Sequence, residues 1–170
     1  VLFPDSPAGD HLCGDCLASP PFFSRARAAV VYQGILSDAI HRFKYGRDIP
    51  TGGALARFLA DCPFDDLDWR RCDAILPVPL HKKRLRERGF NQSLLLARAL
   101  GKKHGVAVDF SLLKRRKFTL TQTGLSRQER EKNIKGAFEA SRAGQIADKN
   151  LIVVDDVYTT GATVNECARI

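Results

Sequence analysis

The sequence lacks several features that would assign a protein to a class at once. No apolar run approaches the ~18 residues needed to cross a membrane. No basic segment followed by an apolar one marks a secretory signal, and there is no internal repeat or low-complexity tract. Methionine is absent, and because the chain starts at Val1 we expect it to be part of a longer protein, so the missing targeting segment says little about location.

Cysteine is too sparse and scattered for a disulfide-stapled protein. The five cysteines form an odd set with no secretory signal, which does not indicate a disulfide framework, so we predict a reducing, cytoplasmic location. They are Cys13, Cys16, Cys62, Cys72 and Cys167. An apolar content of 44% excludes a disordered chain. A length of 170 residues favours one domain with a small appendage.

Positive charge is concentrated in one part of the chain. The formal net charge is +8, but residues 82–132 contain 15 Lys and Arg against 4 Asp and Glu, a local charge of +11. The rest of the chain is slightly acidic. Such segregation indicates a polyanionic partner, either a nucleic acid or a small molecule rich in phosphate, although a solvated basic face would give the same pattern.

Hydrophobic periodicity predicts strands and helices in alternation. Short runs of apolar, mostly β-branched or aromatic residues predict strands at 28–34, 73–79, 106–110 and 151–154, and GAFEA at 136–140 is a candidate edge strand. Apolar residues at helical spacing, with a capping-box pattern at Ser126 and Glu129, predict helices at 35–46, 52–62, 93–105, 126–133 and from 163 onward. The stretches 81–92 and 114–125 have no period and are predicted to be loops. The order predicts an α/β fold with a mainly parallel sheet flanked by helices.

The stretch LIVVDDVYTTGAT, residues 151–163, carries the densest chemistry in the chain. Asp155 and Asp156 end a predicted strand, at the edge where open parallel sheets bind ligands. Gly161 would let the backbone approach a ligand, and the free N–H groups of the following helix attract phosphate, with threonine hydroxyls as further donors. The two carboxylates can accept hydrogen bonds from hydroxyl groups or hold a hydrated metal ion. A sugar phosphate, which has both a diol and a phosphate, would use both halves.

Three other interpretations of this stretch compete with the sugar phosphate. A strand followed by two acids could belong to a P-loop nucleotide hydrolase, but the chain has no G-x-x-x-x-G-K-[ST] motif. It could be the acidic metal site of a phospho-acceptor domain, which would leave the threonine-rich tail without a role. It could also be a structural turn capped by aspartate. The combination of an acidic pair and a phosphate loop in one short stretch favours the sugar phosphate.

These residues also resemble a known family. The stretch is similar to the motif with which type I phosphoribosyltransferases bind phosphoribosyl pyrophosphate (PRPP): an apolar strand, two acids and a Thr-Thr-Gly-x-Thr loop. Its surroundings resemble the ComF family of competence-associated, phosphoribosyltransferase-like proteins. The matching parts are YQGILSDAIHRFKYGRD, LPVPLHKKRLRERGFNQS, GAF at 136–138, and Gln122, Leu125, Arg130 and Asn133. The resemblance covers nearly everything from Ala28 to Ile170.

The resemblance implies a role for each part of the motif. Asp155 and Asp156 would accept hydrogen bonds from the 2′- and 3′-hydroxyl groups of PRPP. The segment that would wrap the 5′-phosphate comprises Thr159, Thr160, Gly161, Ala162 and Thr163. The diphosphate would face Lys82, Lys83 and Arg84, which together with the two acids are the predicted catalytic residues. Residues 114–132 would form a lid that excludes water, and Mg²⁺ would arrive with PRPP, held by its phosphates.

The resemblance also implies a division of the chain. Residues 1–27 would be the end of an N-terminal zinc-ribbon region and its linker. Residues 28–170 would be the phosphoribosyltransferase-like domain, with further strand and helix after Ile170. Cys13 and Cys16 match the last Cys-x-x-Cys of such a ribbon and would be half of a Zn²⁺ site whose other ligands lie upstream.

Three functions follow from the resemblance and the charge pattern. The first is an enzyme that transfers ribosyl phosphate from PRPP to an unidentified acceptor with release of pyrophosphate, in a family associated with DNA uptake and natural competence. The second is a module that handles single-stranded DNA, or contacts competence proteins, through the basic segment. The third is a sensor that binds PRPP without turnover, which a fold resemblance does not distinguish from an enzyme.

Overall fold

The computed structural model describes residues 14–119, 124, 126–142, 144 and 146–170, and all structural statements below refer to these residues. The helices are α1 (Gly14–Ala18), α2 (Ile35–Tyr45), α3 (Ile49–Asp61), α4 (Lys82–Arg88), α5 (Gln92–His104), α6 (Arg127–Ile134) and α7 (Ala162–Arg169), with a 3-10 turn at Trp69–Arg71. The strands are β1 (Ala74–Pro77), β2 (Leu113–Arg115), β3 (Phe138–Ala140) and β4 (Leu151–Val154). No helix in this part of the chain is long and apolar enough to span a membrane.

A parallel pair of strands lies at the centre of the fold. β1 pairs with β4 in parallel, with Ala74 opposite Leu151 and Pro77 opposite Val154. On the other edge of β1, Ile75 forms a single parallel bridge with Val108. β2 and β3 form a separate antiparallel pair. The α/β class is therefore confirmed, but with a smaller parallel sheet than predicted, and the specific phosphoribosyltransferase topology stays a prediction.

Alternating residues of β1 contribute to two apolar cores. Ile75 is fully buried in the core formed with α3 and α5, where it lies with Leu96 and Leu100. Leu76 points to the other face and belongs to the core that contains Ile134 of α6 and Phe138 of β3. Because successive side chains of a strand point to opposite faces, one short strand holds helices on both sides. This layered arrangement fixes the strand ends, where the two loops discussed below emerge.

Two predicted elements are wrong. The segment 28–34 was predicted to be a strand, but it contains only bends and leaves Val31 and Tyr32 exposed. Its β-branched residues do not form a strand because no neighbouring strand pairs with it among the described residues. The segment 81–92 was predicted to be a loop, but it contains α4. This helix is capped by His81 at its start and by Gly89 in the left-handed conformation at its end, and its Lys, Arg, Leu and Glu residues are strong helix formers.

Other elements differ from the predictions in extent. The segment 106–110 forms only the one-residue bridge at Val108 instead of a strand. Lys114 and Arg115 belong to β2 although they were predicted to be loop, while residues 120–123 and 125 of that loop lie outside the described residues. In β4 only Val154 is fully buried, because β4 has a partner strand along one edge within the described residues.

Candidate functional site

The carboxyl ends of β1 and β4 lie side by side, because the two strands are parallel and in register. Asp155 and Asp156 directly follow β4, and residues 78–81 follow β1 at the same edge. The start of α5 also reaches this edge, where Asn91 Nδ2 donates a hydrogen bond to Val78 O at 3.1 Å. Three segments distant in sequence therefore meet where open parallel sheets bind ligands.

Asp155 is the more deeply enclosed acid of the pair. Its Oδ1 accepts hydrogen bonds from Ser93 Oγ at 3.1 Å and from the N–H of Asp156 at 2.9 Å. Burial raises the pKa of Asp155 to about 6, and the adjacent Asp156 carboxylate adds to the rise. Lys44 and the two hydrogen bonds oppose this rise in pKa. The site thus keeps a carboxyl group in surroundings that disfavour its charge, which is common at functional sites.

Asp156 is held by a lysine from α2. Lys44 Nζ lies 2.9 Å from Asp156 Oδ1, and the two side chains are only 20% and 11% exposed. Each acid therefore has its Oδ1 engaged by protein groups. Within the described residues, no hydrogen bond or ion pair reaches the Oδ2 atom of either acid. The geometry leaves two carboxylate oxygens as acceptors for a ligand.

The loop between β4 and α7 has features of an anion-binding turn. Gly161 has a φ of 76° and precedes the first turn of α7, where Asn165 N–H donates to Gly161 O at 2.8 Å. The left-handed backbone at this position favours glycine, and a Cβ there would also lie 2.5 Å from the Tyr158 hydroxyl oxygen, so the Tyr158 side chain would have to move. A cavity of about 20 Å³, room for about one water molecule, lies between this loop and Asp155. Backbone N–H groups at a helix start are ready donors to phosphate.

Helix α6 contacts this loop directly. Arg130 Nη1 donates a hydrogen bond to Thr159 Oγ1 at 2.8 Å. The helix begins with the predicted capping box, in which Ser126 Oγ accepts from the N–H of Glu129 and the Glu129 carboxylate accepts from the N–H of Ser126. The predicted lid segment therefore delivers an arginine to the predicted phosphate loop.

The three predicted basic residues lie at the start of α4, and they point in different directions. Lys82 lines a groove of about 740 Å³ between α4, α5 and β2. Lys83 Nζ lies 4.7 Å from the centre of the Phe118 ring. Arg84 donates to Thr119 O at 2.9 Å, and its charge acts on Arg115 of β2. Of the trio, Arg84 is the one whose charge acts on Arg115, a residue on which the charge of Asp155 also acts.

Arg115 is a basic site residue that sequence reasoning missed. Its guanidinium lies 5.2 Å from the Phe138 ring centre and donates a short hydrogen bond to Thr119 Oγ1, while its Nε has no partner among the described residues. Burial, followed by the Arg84 charge, lowers the pKa of Arg115 to about 10, and Asp155 opposes this. A half-buried, partly desolvated cation with an unused donor is a position where an anion can be stabilised.

The large groove is a weaker candidate for the site than its size suggests. Its lining includes Leu85, Leu94 and Phe110 but no residue of the β4–α7 loop and no carboxylate. Volume by itself does not supply the acceptors and donors that fix a ligand in place. We therefore place the candidate site at the acidic pair, where hydrogen-bond acceptors and donors lie together.

The predicted zinc half-site is untested. Cys13 lies outside the described residues, and Cys16 lies in α1. Within the described part of the chain, no three Cys, His, Asp or Glu side chains come together as metal ligands. Cys167 is buried, as expected for a structural thiol, while Cys62 and Cys72 are half-buried. The Zn²⁺ prediction and the domain boundary at residue 27 stay predictions.

The geometry defines a class of protein. It is an α/β protein with an acidic pair and a helix-start loop at the carboxyl edge of two parallel strands, with the half-buried Arg115 nearby. The chain belongs to the ComF family, which its curated relatives identify.

Three relatives illustrate the similarity. The DNA utilization protein YhgH of Escherichia coli K12 is 37% identical over 167 residues, which cover 94% of this chain and 71% of that protein. Competence protein F of Haemophilus influenzae is 35% identical over 162 residues, covering 93% and 71%. Competence protein ComFC of Bacillus subtilis is 27% identical over 165 residues, covering 93% and 65%. No family model and no solved structure matches the chain.

Proposed function

We propose that this chain is a PRPP-binding protein that transfers ribosyl phosphate to an unidentified acceptor and releases pyrophosphate. The observation that carries the proposal is the pair of Oδ2 atoms of Asp155 and Asp156 beside the loop that ends at Gly161. Vicinal hydroxyl groups of a ribose would donate to these two oxygens. The threonine-rich loop would accept the 5′-phosphate at the start of α7.

Charge explains how this site would assist the transfer. The bond between the sugar C1 and the pyrophosphate oxygen breaks, a bond from C1 to an acceptor nitrogen forms, and negative charge collects on the leaving pyrophosphate. Arg84 and Arg115 would stabilise that charge, because burial removes competing water from Arg115. Mg²⁺ bound by the substrate phosphates would neutralise further charge. The lid that carries Arg130 would exclude water from the reacting centre.

The names of the relatives support a role near DNA. Two of them are called competence proteins and one a DNA utilization protein. We propose that the PRPP site of this chain serves DNA uptake or use, with competence proteins as partners.

Calorimetry with PRPP and Mg²⁺ tests the proposal. Asp156→Asn should weaken PRPP binding about tenfold or more, because the amide replaces a charged acceptor and loses the ion pair with Lys44. Asp61→Asn is the matched control, since Asp61 forms a similar lysine pair at the exposed surface. An absence of PRPP binding, or equal affinities for Asp156→Asn and the unaltered chain, would rule the proposal out.

Measuring pyrophosphate release separates the enzyme from the sensor. The enzyme releases pyrophosphate when PRPP, Mg²⁺ and the correct acceptor are combined. Tight PRPP binding without release across a panel of nitrogenous bases would instead support the sensor.

A single-stranded DNA module remains the second candidate, and Phe118 favours it. This half-exposed ring is surrounded by His81 at 5.3 Å, Lys83 at 4.7 Å and Arg84 at 5.7 Å. An aromatic ring flanked by cations is the kind of platform on which bases of a single strand stack.

A further inference from the structure

Lys44 lies in α2 and pairs with Asp156. Among the described side-chain hydrogen bonds and ion pairs, this pair is the one that joins α2 to the acidic pair and the loop after it. The helix, α2, is fixed at two other points. Phe43 is buried against Gly52 of α3, and the Arg88 guanidinium of α4 lies 5.1 Å from the Tyr45 ring centre. Because these contacts hold the helix on both sides of Lys44, its ammonium group has a defined position above Asp156.

The surroundings of the pair make a single fixed positive charge important. Asp155 and Asp156 are adjacent, and the charge of Asp156 disfavours a charge on Asp155. Ser93 from α5 offers a hydroxyl, and Cys167 from α7 lies near Asp155. The cations on the remaining sides are Arg115 from β2 and, next to it, Arg84 and Arg88 from α4. The one cation within 3 Å of either carboxylate in the described structure is Lys44, at 2.9 Å.

We propose that Lys44 is a positioning residue for the sugar diol. By holding Asp156 Oδ1, it leaves Asp156 Oδ2 facing a ligand hydroxyl group. Its charge also allows both acids to act as acceptors at the same time. This inference rests on the proposed function, because it assigns Lys44 to the same sugar-phosphate site. A carboxylate held at one oxygen loses less freedom on binding than a mobile one. Without Lys44, two adjacent carboxyl groups in partly dry surroundings would share a proton, and one acceptor would be lost.

Two other roles for Lys44 predict different results. If the ion pair only ties α2 to the core, its removal lowers stability and leaves ligand affinity unchanged in the folded protein. If Lys44 competes with the ligand for Asp156, its removal increases affinity. A positioning role predicts a loss of affinity that is confined to ligands with a diol.

Ribose 5-phosphate and inorganic phosphate are the probes that separate these roles, and neither needs Mg²⁺ or turnover. We expect Lys44→Met to weaken ribose 5-phosphate binding about tenfold and to change phosphate binding by less than about twofold. Lys44→Arg should restore much of the affinity, because it keeps the charge. Lys103→Met is the matched control, since Lys103 pairs with Asp61 at the same 2.8–2.9 Å distance but at the exposed surface. Thermal melts of each variant verify folding.

Two further measurements exclude a merely structural role. In an Asp156→Asn background, Lys44→Met should cause no additional loss of ribose 5-phosphate affinity, because its target oxygen is no longer charged. Between about pH 7 and about pH 9, where about nine-tenths or more of the ribose 5-phosphate is doubly ionised, the affinity of Lys44→Met should recover while that of the unaltered chain stays nearly constant. Recovery is expected because the shared proton is released as the pH rises.

The outcomes separate this inference from the proposed function. If the unaltered chain binds neither PRPP nor ribose 5-phosphate, the proposed function fails and the role of Lys44 fails with it. If the unaltered chain binds and Lys44→Met binds equally or more tightly, the role of Lys44 is overturned and the proposed function stands. Equal losses for phosphate and ribose 5-phosphate would also overturn it, since they indicate general damage to the loop.

Discussion

Asp155 illustrates a conflict between binding and stability at a single residue. Its carboxyl group is enclosed by protein and lies next to Asp156, and both conditions raise its pKa, to about 6. The ordinary pKa of an aspartate is near 3.8. Above about pH 6 the folded chain must therefore hold a charge that the unfolded chain holds more easily. Such a loss of stability is expected where ligand binding requires a charged acceptor at a position that folding disfavours.

Asp155→Asn should therefore stabilise the protein in a pH-dependent way. The folded pKa is raised, so the destabilisation by the charged group is absent below about pH 4, grows as the pH rises to about 6, and is constant above that. We expect the asparagine variant to gain on the order of 2 kcal/mol above pH 6, because its amide oxygen can still accept the bonds from Ser93 and Asp156. Thermal melts of both proteins from pH 4 to pH 8 measure the difference. A difference independent of pH, or a variant less stable at pH 7, would contradict this account.

At the scale of elements, the contact between α2 and α3 holds the helix that carries Lys44. Phe43 is among the most buried side chains of the chain, and its ring lies directly over Gly52 of α3. A Cβ at Gly52 would lie 2.2 Å from Phe43 Cε2, while a Cβ at the neighbouring Gly53 would meet nothing within 4 Å. The close approach of the two helices therefore depends on one glycine and not on the other.

The two glycines give a matched pair of variants. Gly52→Ala should destabilise the protein by about 1–3 kcal/mol, because the methyl group displaces the Phe43 ring from a filled core. Gly53→Ala should stabilise it by about 0.5–1 kcal/mol through helix propensity. Urea denaturation of the two variants measures both values. If Gly52→Ala proved as stable as Gly53→Ala, the helices would not be in the close contact described.

Elements with local signals were the ones that sequence could predict. The capping box of α6 and the helices α2 and α5 were predicted from neighbouring residues, and the structure confirms them. The strand at 28–34 was wrong because β-branched residues need a partner strand, which is not a local property. Helix α4 was not predicted because its sequence, KKRLRER, is almost entirely charged and has no hydrophobic period, so the caps at His81 and Gly89 were not recognised.

The residues of the candidate site also fall into two groups, those that a local pattern predicts and those that only the fold brings together. Asp155, Asp156 and the loop to Thr163 are contiguous, so their chemistry could be predicted from one stretch. Ser93 and Asp155 lie 62 residues apart, and no spacing in the sequence relates them. Lys44, Arg115 and Arg130 lie near the site only because the tertiary fold brings α2, β2 and α6 to it from distant parts of the sequence.

For the whole molecule, the positive charges of residues 82–132 lie in several different surroundings. Part of this charge is shielded or neutralised: Arg115 is half-buried, Lys103 pairs with Asp61, and Arg116 pairs with Glu139. The rest includes the cations around Phe118. The uniform polyanion-binding stretch suggested by the local charge of +11 is therefore several separate features, only some of which can contact a nucleic acid.

A comparison of Phe118 with Phe58 tests the DNA hypothesis. The two rings are 48% and 49% exposed, but Phe58 lies on α3 and has no described cation over its ring. If the chain binds single strands, Phe118→Ala should weaken binding of a labelled oligothymidylate about tenfold, Phe58→Ala should have no effect, and affinity should fall steeply with salt. Fluorescence anisotropy measures all three. Equal effects of the two variants, or an affinity independent of salt, would reject this function.

The hydrogen bond between Arg130 and Thr159 makes the position of α6 and the state of the phosphate loop thermodynamically linked. A ligand that favours one hydrogen-bonding state of Thr159 also favours the matching position of α6. The coupling free energy is the same in both directions. The reverse also holds, so if the loop binds phosphate as proposed, a contact that stabilises α6 in one position would alter that affinity. Regulation of the proposed site would then need no second binding pocket, because a partner that touched only the outer surface of α6 could change ligand affinity.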